Sequence, residues 1–236
     1  MCAWEQTYLD RAVADVFGFH ALQLGFPILD GLQANRMPYR WLACDMHPEP
    51  WPLGRDVVLC NYEALPFPDA SLDLLVLPHT LELSYDPHAT LREVARVLVP
   101  EGRVVICGFN PNSLWGLSKT CQHGFHEVGH FIGQGRLRDW LQLLSFEVVS
   151  TSFGCYRPAV KTDRWLQRWA WMDEAGVRWW PILGGIYGMV AVKRVHGTRM
   201  MTPAWKKAAP RAAAVVTSAS HSTLSGVAKS PERGKK

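Results

Sequence analysis

Residues 72–107 read LDLLVLPHTLELSYDPHATLREVARVLVPEGRVVIC and contain a strand, a helix and a second strand, in that order. The two predicted strands are the apolar runs Leu72–Leu77 and Arg103–Cys107. Two strands joined through a helix form a right-handed crossover in a parallel sheet. The segment therefore predicts an α/β fold, in which ligands bind outside the carboxyl ends of the strands.

The helix of this segment has recognisable start and stop signals. Asp86 is a good N-cap residue, and Pro87 suits the first turn because its missing N–H has no helical partner there. Pro100 and Gly102 end the pattern. The apolar face is formed by residues at i, i+3, i+4 and i+7, which are Leu91, Val94, Ala95 and Leu98.

Further apolar runs extend the pattern in both directions. Several are apolar on both faces, which is typical of a parallel sheet covered on both sides. With the two strands above they predict one domain with a mostly parallel seven-stranded sheet and helices on both faces. The additional strands are Ala21–Leu24, Tyr39–Cys44, Asp56–Cys60, Phe146–Ser150 and Ile186–Val192, and a second helix carries Leu137, Trp140, Leu141 and Leu144 at helical spacing.

Charge divides the chain into a body and a tail. Residues 1–192 have 15 Lys and Arg against 20 Asp and Glu, whereas residues 193–236 have 10 against one. With 48% hydrophobic and 19% charged residues, the chain is no disordered protein, disulfide-rich miniprotein or long coiled coil. We expect a folded domain at 1–195 and a disordered basic tail at 196–236. The tail could contact nucleic acid or anionic lipid, or simply increase solubility.

The six cysteines indicate a reducing environment. No two are closer than 14 residues, which excludes a Cys-x-x-Cys pair. No signal peptide is visible, and the apolar stretch 179–192 is shorter than the roughly 20 residues that a membrane span needs. We therefore expect a cytoplasmic protein with free thiols and without a transmembrane segment. The cysteines are Cys2, Cys44, Cys60, Cys107, Cys121 and Cys155.

Residues 63–76, EALPFPDASLDLLV, resemble the E-x-L-P-F-x-D-x-S-F-D-hydrophobic pattern of class I S-adenosylmethionine-dependent methyltransferases of the small-molecule type 11 group. The resemblance continues through His79–Glu82 and Asp86-Pro87, and it ends at Leu91–Ile106 with an L-R-E-h-x-R-V-L-x-P-G-G-like run. It implies a Rossmann-like methyltransferase fold, S-adenosyl-L-methionine as the cofactor and a small-molecule acceptor.

The resemblance also implies cofactor-binding positions after the second and third strands. Asp45 stands where the family's acidic residue accepts hydrogen bonds from the ribose hydroxyls, and Met46 follows it. Asn61 and Tyr62 stand near the expected adenine position, where Asn61 can hold an amine and Tyr62 can cover the ring. The alternatives are that Asp45 forms a turn and that Asn61-Tyr62 is only a loop.

The glycine-rich loop departs from the family pattern. The family has an acidic residue and then G-x-G-x-G after the first strand, whereas this chain has Gln23 at the acidic position and keeps only Gly25. Pro27 and Leu29 replace the other two glycines, so a backbone donor is lost and bulk is added. Gln23 can reach an amine but supplies no charge for the methionyl ammonium. We expect cofactor binding to be weakened, re-routed or lost.

Methyl transfer is an in-line displacement, so the protein mainly holds donor and acceptor in place and excludes water. A general base is needed only when the acceptor must lose a proton. His79, just after the fourth strand, is the candidate for contact with the acceptor or for the base, and it also counts as a possible cofactor contact. The alternative is a structural histidine with satisfied hydrogen bonds.

Two clusters leave several interpretations open. The histidines and cysteine of residues 121–130 could bind zinc, but Gly124 and Gly129 interrupt a helix there, and we predict no metal site. The tryptophans and arginines of residues 164–180 could pack in the core or a lid, form an apolar acceptor pocket, or meet a membrane or nucleic acid. The members of the first cluster are Cys121, His123, His126 and His130, and those of the second are Arg164, Trp165, Arg168, Trp169, Trp171, Arg178, Trp179 and Trp180.

Two functions follow from the sequence. The first is a methyltransferase that uses S-adenosyl-L-methionine on a small-molecule acceptor. The second is a non-catalytic binding or scaffold module on the same fold, in which the altered loop no longer supports turnover. A nicotinamide-dependent oxidoreductase is excluded because no G-x-G-x-x-G follows the first strand. The sequence indicates no clear nucleic-acid site and does not define the oligomeric state.

Overall fold

The structure is a computed structural model that describes residues 2–47, 55–113, 131–156 and 180–194. The chain divides into two units, Met1–Gly197 and Thr198–Lys236, and all described residues belong to the first. The predicted basic tail therefore lies outside the described residues, and its boundary stays a prediction. Within the described residues, no helix is both long enough and apolar enough to cross a membrane.

Strands and helices alternate along the described domain. A short 3₁₀ helix, Pro181–Leu183, precedes the last strand. The elements in chain order are α1 (Cys2–Ala14), β1 (His20–Leu24), β2 (Tyr39–Cys44), β3 (Asp56–Leu59), β4 (Leu72–Pro78), α2 (Thr80–Leu83), α3 (Pro87–Val97), β5 (Leu98–Phe109), α4 (Gln134–Leu143), β6 (Phe146–Gly154) and β7 (Ile186–Lys193).

The strands form one seven-stranded sheet in the order β3-β2-β1-β4-β5-β7-β6. Strands β1 to β5 pair in parallel, and β7 runs antiparallel to both β5 and β6. The strand order reverses between β1 and β4, and open α/β sheets bind their ligands in the crevice at such a switch point. The predicted fold class, a mostly parallel seven-stranded sheet, is confirmed.

Helices cover both faces of the sheet. On one face α1 packs against β4 and β5, and on the other α3 and α4 pack against the same central strands. The side chains of β4 alternate between the two cores, which is why its sequence is apolar throughout. Leu9, Val13, Leu74, Val76 and Val105 belong to the first core, and Leu75, Leu77, Leu91, Val94, Leu137 and Leu141 belong to the second.

The predicted N-cap of α3 is confirmed, but the end of the helix differs from the prediction. The Asp86 side chain accepts hydrogen bonds from the N–H groups of His88 and Ala89. The helix ends at Val97, and β5 begins at once at Leu98 instead of at Arg103. Pro100 is compatible with this early strand, because a proline favours extended geometry in the residue before it, here Val99. The β4–β5 register shifts between Leu72 and Leu74, which accommodates the added residues.

The first helix, α1, was not predicted from the sequence. Two of its aromatic side chains lie directly on glycines of the sheet, Trp4 on Gly154 and Tyr8 on Gly188, where any Cβ would overlap the ring. Trp4 and Tyr8 also stack on each other, with ring centroids 5.4 Å apart. The position of α1 is therefore determined by contacts with distant strands.

Candidate functional site

A cavity of about 350 Å³ opens at the carboxyl ends of the parallel strands. Its lining comes from four separate chain segments, represented by Gly25 after β1, Asp45 after β2, Tyr62 after β3 and Thr80 after β4. These segments converge because parallel strands end at the same edge of the sheet, and the cavity includes the switch point between β1 and β4. Its volume is within the range of roughly 300–1,000 Å³ that is usual for small-molecule sites.

Asp45 and Tyr62 form a hydrogen-bonded pair within this cavity. The Tyr62 hydroxyl donates to Asp45 Oδ1 over 3.2 Å and accepts from the Asp45 backbone N–H over 3.3 Å. Asp45 is exposed, whereas Tyr62 is only 7% exposed. Burial, together with the nearby Asp45 carboxylate, raises the pKa of the Tyr62 phenol well above its usual value. Tyr62 therefore stays protonated and continues to donate to Asp45.

The altered loop after β1 is held by the side chain of Gln23. The Gln23 amide nitrogen donates to the carbonyl oxygens of Gly25, Phe26 and Leu29, at 3.2, 3.2 and 2.8 Å. Its amide oxygen accepts from the Gly31 N–H at 2.9 Å. Gln23 is 1% exposed and does not line the cavity, so in this structure its polar atoms are engaged inside the loop. Gln23 therefore shapes the loop, and its predicted contact with the cofactor stays a prediction.

The substitutions in this loop affect the cavity less than the sequence suggests. Gly25 adopts the left-handed conformation, with φ of 66°, which glycine reaches without steric cost, and a Cβ there would lie 2.9 Å from the Tyr62 hydroxyl. Leu29 is 3% exposed and packs in the core beneath α1, so its bulk points away from the cavity. Phe26 also has a positive φ, of 48°, and it lines the cavity with Pro27.

Met46 and Asn61 differ in their relation to the cavity. Met46 is 75% exposed and lines it beside Asp45. Asn61 is exposed, is absent from the lining, and accepts a hydrogen bond from the Glu63 N–H through its side-chain oxygen at 2.9 Å. That bond closes a local turn, which is the loop alternative for Asn61.

His79 is a buried residue between two carboxylates. Its Nε2 lies 2.5 Å from Glu5 Oε1 and its Nδ1 lies 2.9 Å from Glu82 Oε2. The ring is 2% exposed and stacks on Phe109, with centroids 4.2 Å apart. Both ring nitrogens are occupied, so in this structure His79 offers no free nitrogen to an acceptor or cofactor. These contacts favour the structural alternative, and the role of His79 in acceptor or cofactor contact stays a prediction.

The protonation state of His79 follows from its surroundings. Burial alone would lower its pKa, but the hydrogen bonds and charges of Glu5 and Glu82 outweigh burial and raise the pKa to about 9. Burial also raises the pKa of Glu82, an effect that His79 partly offsets. Near neutral pH the ring is therefore an imidazolium that joins α1 to the end of β4.

Sequence reasoning missed several cavity residues. Cys44 is the last residue of β2, and Thr80 and Leu83 lie in α2, directly after β4. The Thr80 hydroxyl donates to the Leu24 carbonyl, which connects the two strands at the switch point. The rule that site residues follow the ends of parallel strands could have found Thr80 one position after His79.

The cavity fits S-adenosyl-L-methionine on two observations. Asp45 places a solvent-accessible carboxylate at the end of β2, and a carboxylate suits a pair of adjacent ribose hydroxyls. Gly25 leaves the cavity free of a Cβ at the end of β1, where backbone has to approach a ligand closely. The nucleoside half of the cofactor therefore has a hydrogen-bond acceptor in Asp45 and a backbone without a Cβ at Gly25.

The two other clusters lie almost entirely beyond the described residues. Residues 121–130, with their cysteine and three histidines, fall outside them, as do all the named tryptophans and arginines of 164–180 except Trp180, which is 51% exposed. Within the part of the chain that the structure describes, no three His, Cys, Asp or Glu side chains form a group that could hold a metal ion.

Comparisons with known proteins agree on the type of domain. Residues 31–106 match the family described as Methyltransferase domain, type 11. A 91-residue segment is 44% identical to the uncharacterized protein YafS of Escherichia coli K12, covering 37% of this chain and 38% of that protein. A 57-residue segment is 47% identical to the ubiquinone/menaquinone biosynthesis C-methyltransferase UbiE of Xanthomonas axonopodis pv. citri, covering 24% of this chain and 22% of that protein.

A solved structure extends the similarity to most of the chain. The SAM-dependent methyltransferase of Archaeoglobus fulgidus superimposes with a TM-score of 0.61 at 18% identity, covering 82% of this chain and 95% of that one. At this identity the superposition shows a shared fold. The two matched curated relatives share less than two fifths of their own lengths with this chain.

Proposed function

We propose that this chain, whose described domain is a class I methyltransferase domain of the type 11 group, transfers a methyl group to a small-molecule acceptor by in-line displacement. The family uses S-adenosyl-L-methionine as its cofactor. The observation that supports this proposal is the cavity at the switch point, which is lined by both Gly25 and the exposed Asp45. When bound, S-adenosyl-L-methionine supplies a methyl group that is already activated by its sulfonium charge.

The chain's own residues then have three tasks. Asp45 accepts hydrogen bonds from the ribose hydroxyls and so fixes the position of the nucleoside. Gly25 lets the backbone approach without a Cβ, and Gln23 holds the loop in the shape that this requires. Thr80 ties the end of β1 to α2, which keeps the crevice at a fixed width. Correct positioning contributes up to roughly 7–11 kcal/mol to such reactions.

The acceptor we propose is a small molecule with an apolar part. Large apolar side chains are exposed at the cavity or next in sequence to its lining, which favours apolar ligands. The UbiE relative, whose name specifies ubiquinone and menaquinone biosynthesis, is consistent with such an acceptor. The exposed side chains are Ile28 at 78%, Met46 at 75% and Leu83 at 44%.

The compartment we propose is the cytoplasm. Cys44, Cys60 and Cys107 are free thiols. Burial raises the pKa of Cys44, Cys60 and Cys107 above the usual value, so these thiols are poorly reactive. Unpaired, inert thiols support a reducing environment.

A transfer assay tests the proposed function. The full chain is incubated with S-adenosyl-L-methionine that carries a radiolabelled methyl group, together with a bacterial lipid extract, an aqueous extract or a protein fraction. We expect label in a small-molecule fraction, most strongly in the lipid extract.

Gly25→Val is the control, because a β-branched residue at φ of 66° is strained and its Cβ would lie 2.9 Å from the Tyr62 hydroxyl. Its thermal unfolding is measured beside the wild type. Cofactor binding without transfer to any fraction would contradict the enzymatic function and favour the binding module.

A further inference from the structure

We propose that the Tyr62 phenol occupies the ribose position of the cavity, and that it has to swing away before a ribose can pair with Asp45. The Tyr62 hydroxyl thus competes with the cofactor's ribose for the carboxylate of Asp45. This inference rests on the proposed function, because it concerns binding at that same cavity.

The first support is the hydrogen bonding of the pair. The Tyr62 hydroxyl donates to Asp45 Oδ1 over 3.2 Å, which is the contact that a ribose hydroxyl would make. The same oxygen accepts from the Asp45 N–H over 3.3 Å. One phenol oxygen therefore engages both the carboxylate and the backbone of the ribose-binding residue.

The second support is the space above Gly25. A Cβ built on Gly25 would lie 2.9 Å from the Tyr62 hydroxyl oxygen and 3.4 Å from the ring carbon that bears it. The phenol thus occupies the volume that the missing side chain of Gly25 leaves open. Gly25, Asp45 and Tyr62 line the same cavity, so a ribose that approaches the Oδ1 atom of Asp45 beside Gly25 meets the phenol there.

The third support is the local backbone, which permits the movement. Tyr62 lies in a turn after β3 that is closed by the Ala64 N–H to Asn61 carbonyl bond, at 3.1 Å, and by the bond from the Glu63 N–H to the Asn61 side chain. Neither bond involves a Tyr62 atom. Rotation of the Tyr62 side chain therefore breaks its two hydrogen bonds with Asp45 and its packing contacts at the edge of the core, and it leaves the turn bonds and the strand pairing intact.

The test is the affinity for S-adenosylhomocysteine of the full wild-type chain and of Tyr62→Phe, measured by calorimetric titration. Tyr62→Phe keeps the ring but removes the hydroxyl that holds it on Asp45. Hydrogen bonds to charged groups are worth roughly a factor of ten or more, and these two are long, so we expect binding about five- to ten-fold tighter.

Two further variants make the result specific. Tyr85→Phe is the matched control, because Tyr85 is 97% exposed and loses the same hydroxyl without an expected effect. In an Asp45→Ala background, Tyr62→Phe should bring a smaller gain, because its bond to the carboxylate is already gone and only the bond from the backbone N–H of residue 45 remains to be removed. Thermal unfolding of each variant shows that the fold is retained.

The affinities of these variants separate the inference about Tyr62 from the proposed function. Weaker binding by Tyr62→Phe would mean that the hydroxyl positions Asp45 for the cofactor, and unchanged binding would mean that it only packs. Either result overturns the inference while the proposed function stands. If neither the wild type nor any variant binds S-adenosylhomocysteine at millimolar concentration, the proposed function fails and the inference fails with it.

Discussion

Asp45→Ala is expected to weaken the binding of S-adenosylhomocysteine by about ten- to a hundred-fold. Hydrogen bonding of the ribose hydroxyls to the charged carboxylate contributes roughly 1.5–3 kcal/mol in total. Part of this loss is regained, because the variant also releases Tyr62, whose hydroxyl makes a single long bond to the carboxylate. The remaining loss is measured by calorimetric titration of both proteins.

Asp56→Ala is the matched control for this experiment. Asp56 is an exposed aspartate at the start of β3, at the opposite edge of the sheet from the cavity. Its replacement makes the same change in net charge, and binding should be unaltered. Equal effects of the two substitutions would show that Asp45 acts only through overall charge and would remove the ribose assignment.

The second large effect concerns folding stability and its dependence on pH. The free energy of unfolding should fall by about 3 kcal/mol as the pH rises from below 6.5 to above 9, in proportion to the difference in His79 pKa between the unfolded and folded chains. His79 has a higher pKa in the folded chain than in the unfolded chain, so its stabilising contribution is complete below the pKa of the unfolded chain. It is lost as the pH rises through about 9.

His79→Gln isolates this contribution, because glutamine keeps hydrogen-bonding capacity but does not titrate. Urea unfolding is followed at pH 6.5, 8 and 9.5 for both proteins. We expect a clearly flatter pH dependence in the variant and a lower stability at pH 6.5, where the two carboxylates lose their cation. Parallel pH profiles would contradict the ion-pair cluster of Glu5, His79 and Glu82.

A helix or strand is predictable from the sequence when interactions between residues close in the chain determine where it begins and ends. Strand β2 has the predicted limits, Tyr39 and Cys44, because its apolar run is bounded by Pro38 and Asp45. The N-cap at Asp86 follows from the residue itself. Helix α1 was not predicted because residues far away in the chain hold it in place. One of them is His79, which lies 74 positions from its partner Glu5 in α1.

The site was predictable in position but not in side-chain direction. Gly25, Asp45, Met46 and Tyr62 all line the cavity because each follows the end of a parallel strand. Gln23, which lies within β1, turns into the loop, because three carbonyl groups of that loop provide better partners than solvent.

His79 and the Tyr62 contact show the same limit. His79 turns away from the cavity because two buried carboxylates surround it. The contact between Tyr62 and Asp45 joins two loops that are 17 residues apart in the chain. Such orientations depend on tertiary partners and therefore on the folded structure.

The most direct measurement of the central claim is a nuclear magnetic resonance titration of the ¹⁵N-labelled chain with S-adenosylhomocysteine. We expect the largest amide shifts at Gly25, Asp45, Tyr62 and Thr80, the residues that line the cavity after β1, β2, β3 and β4. Residues at the opposite edge of the sheet, such as Asp73, should be unaffected. An unchanged spectrum at millimolar ligand, or shifts confined to that opposite edge, would contradict the account.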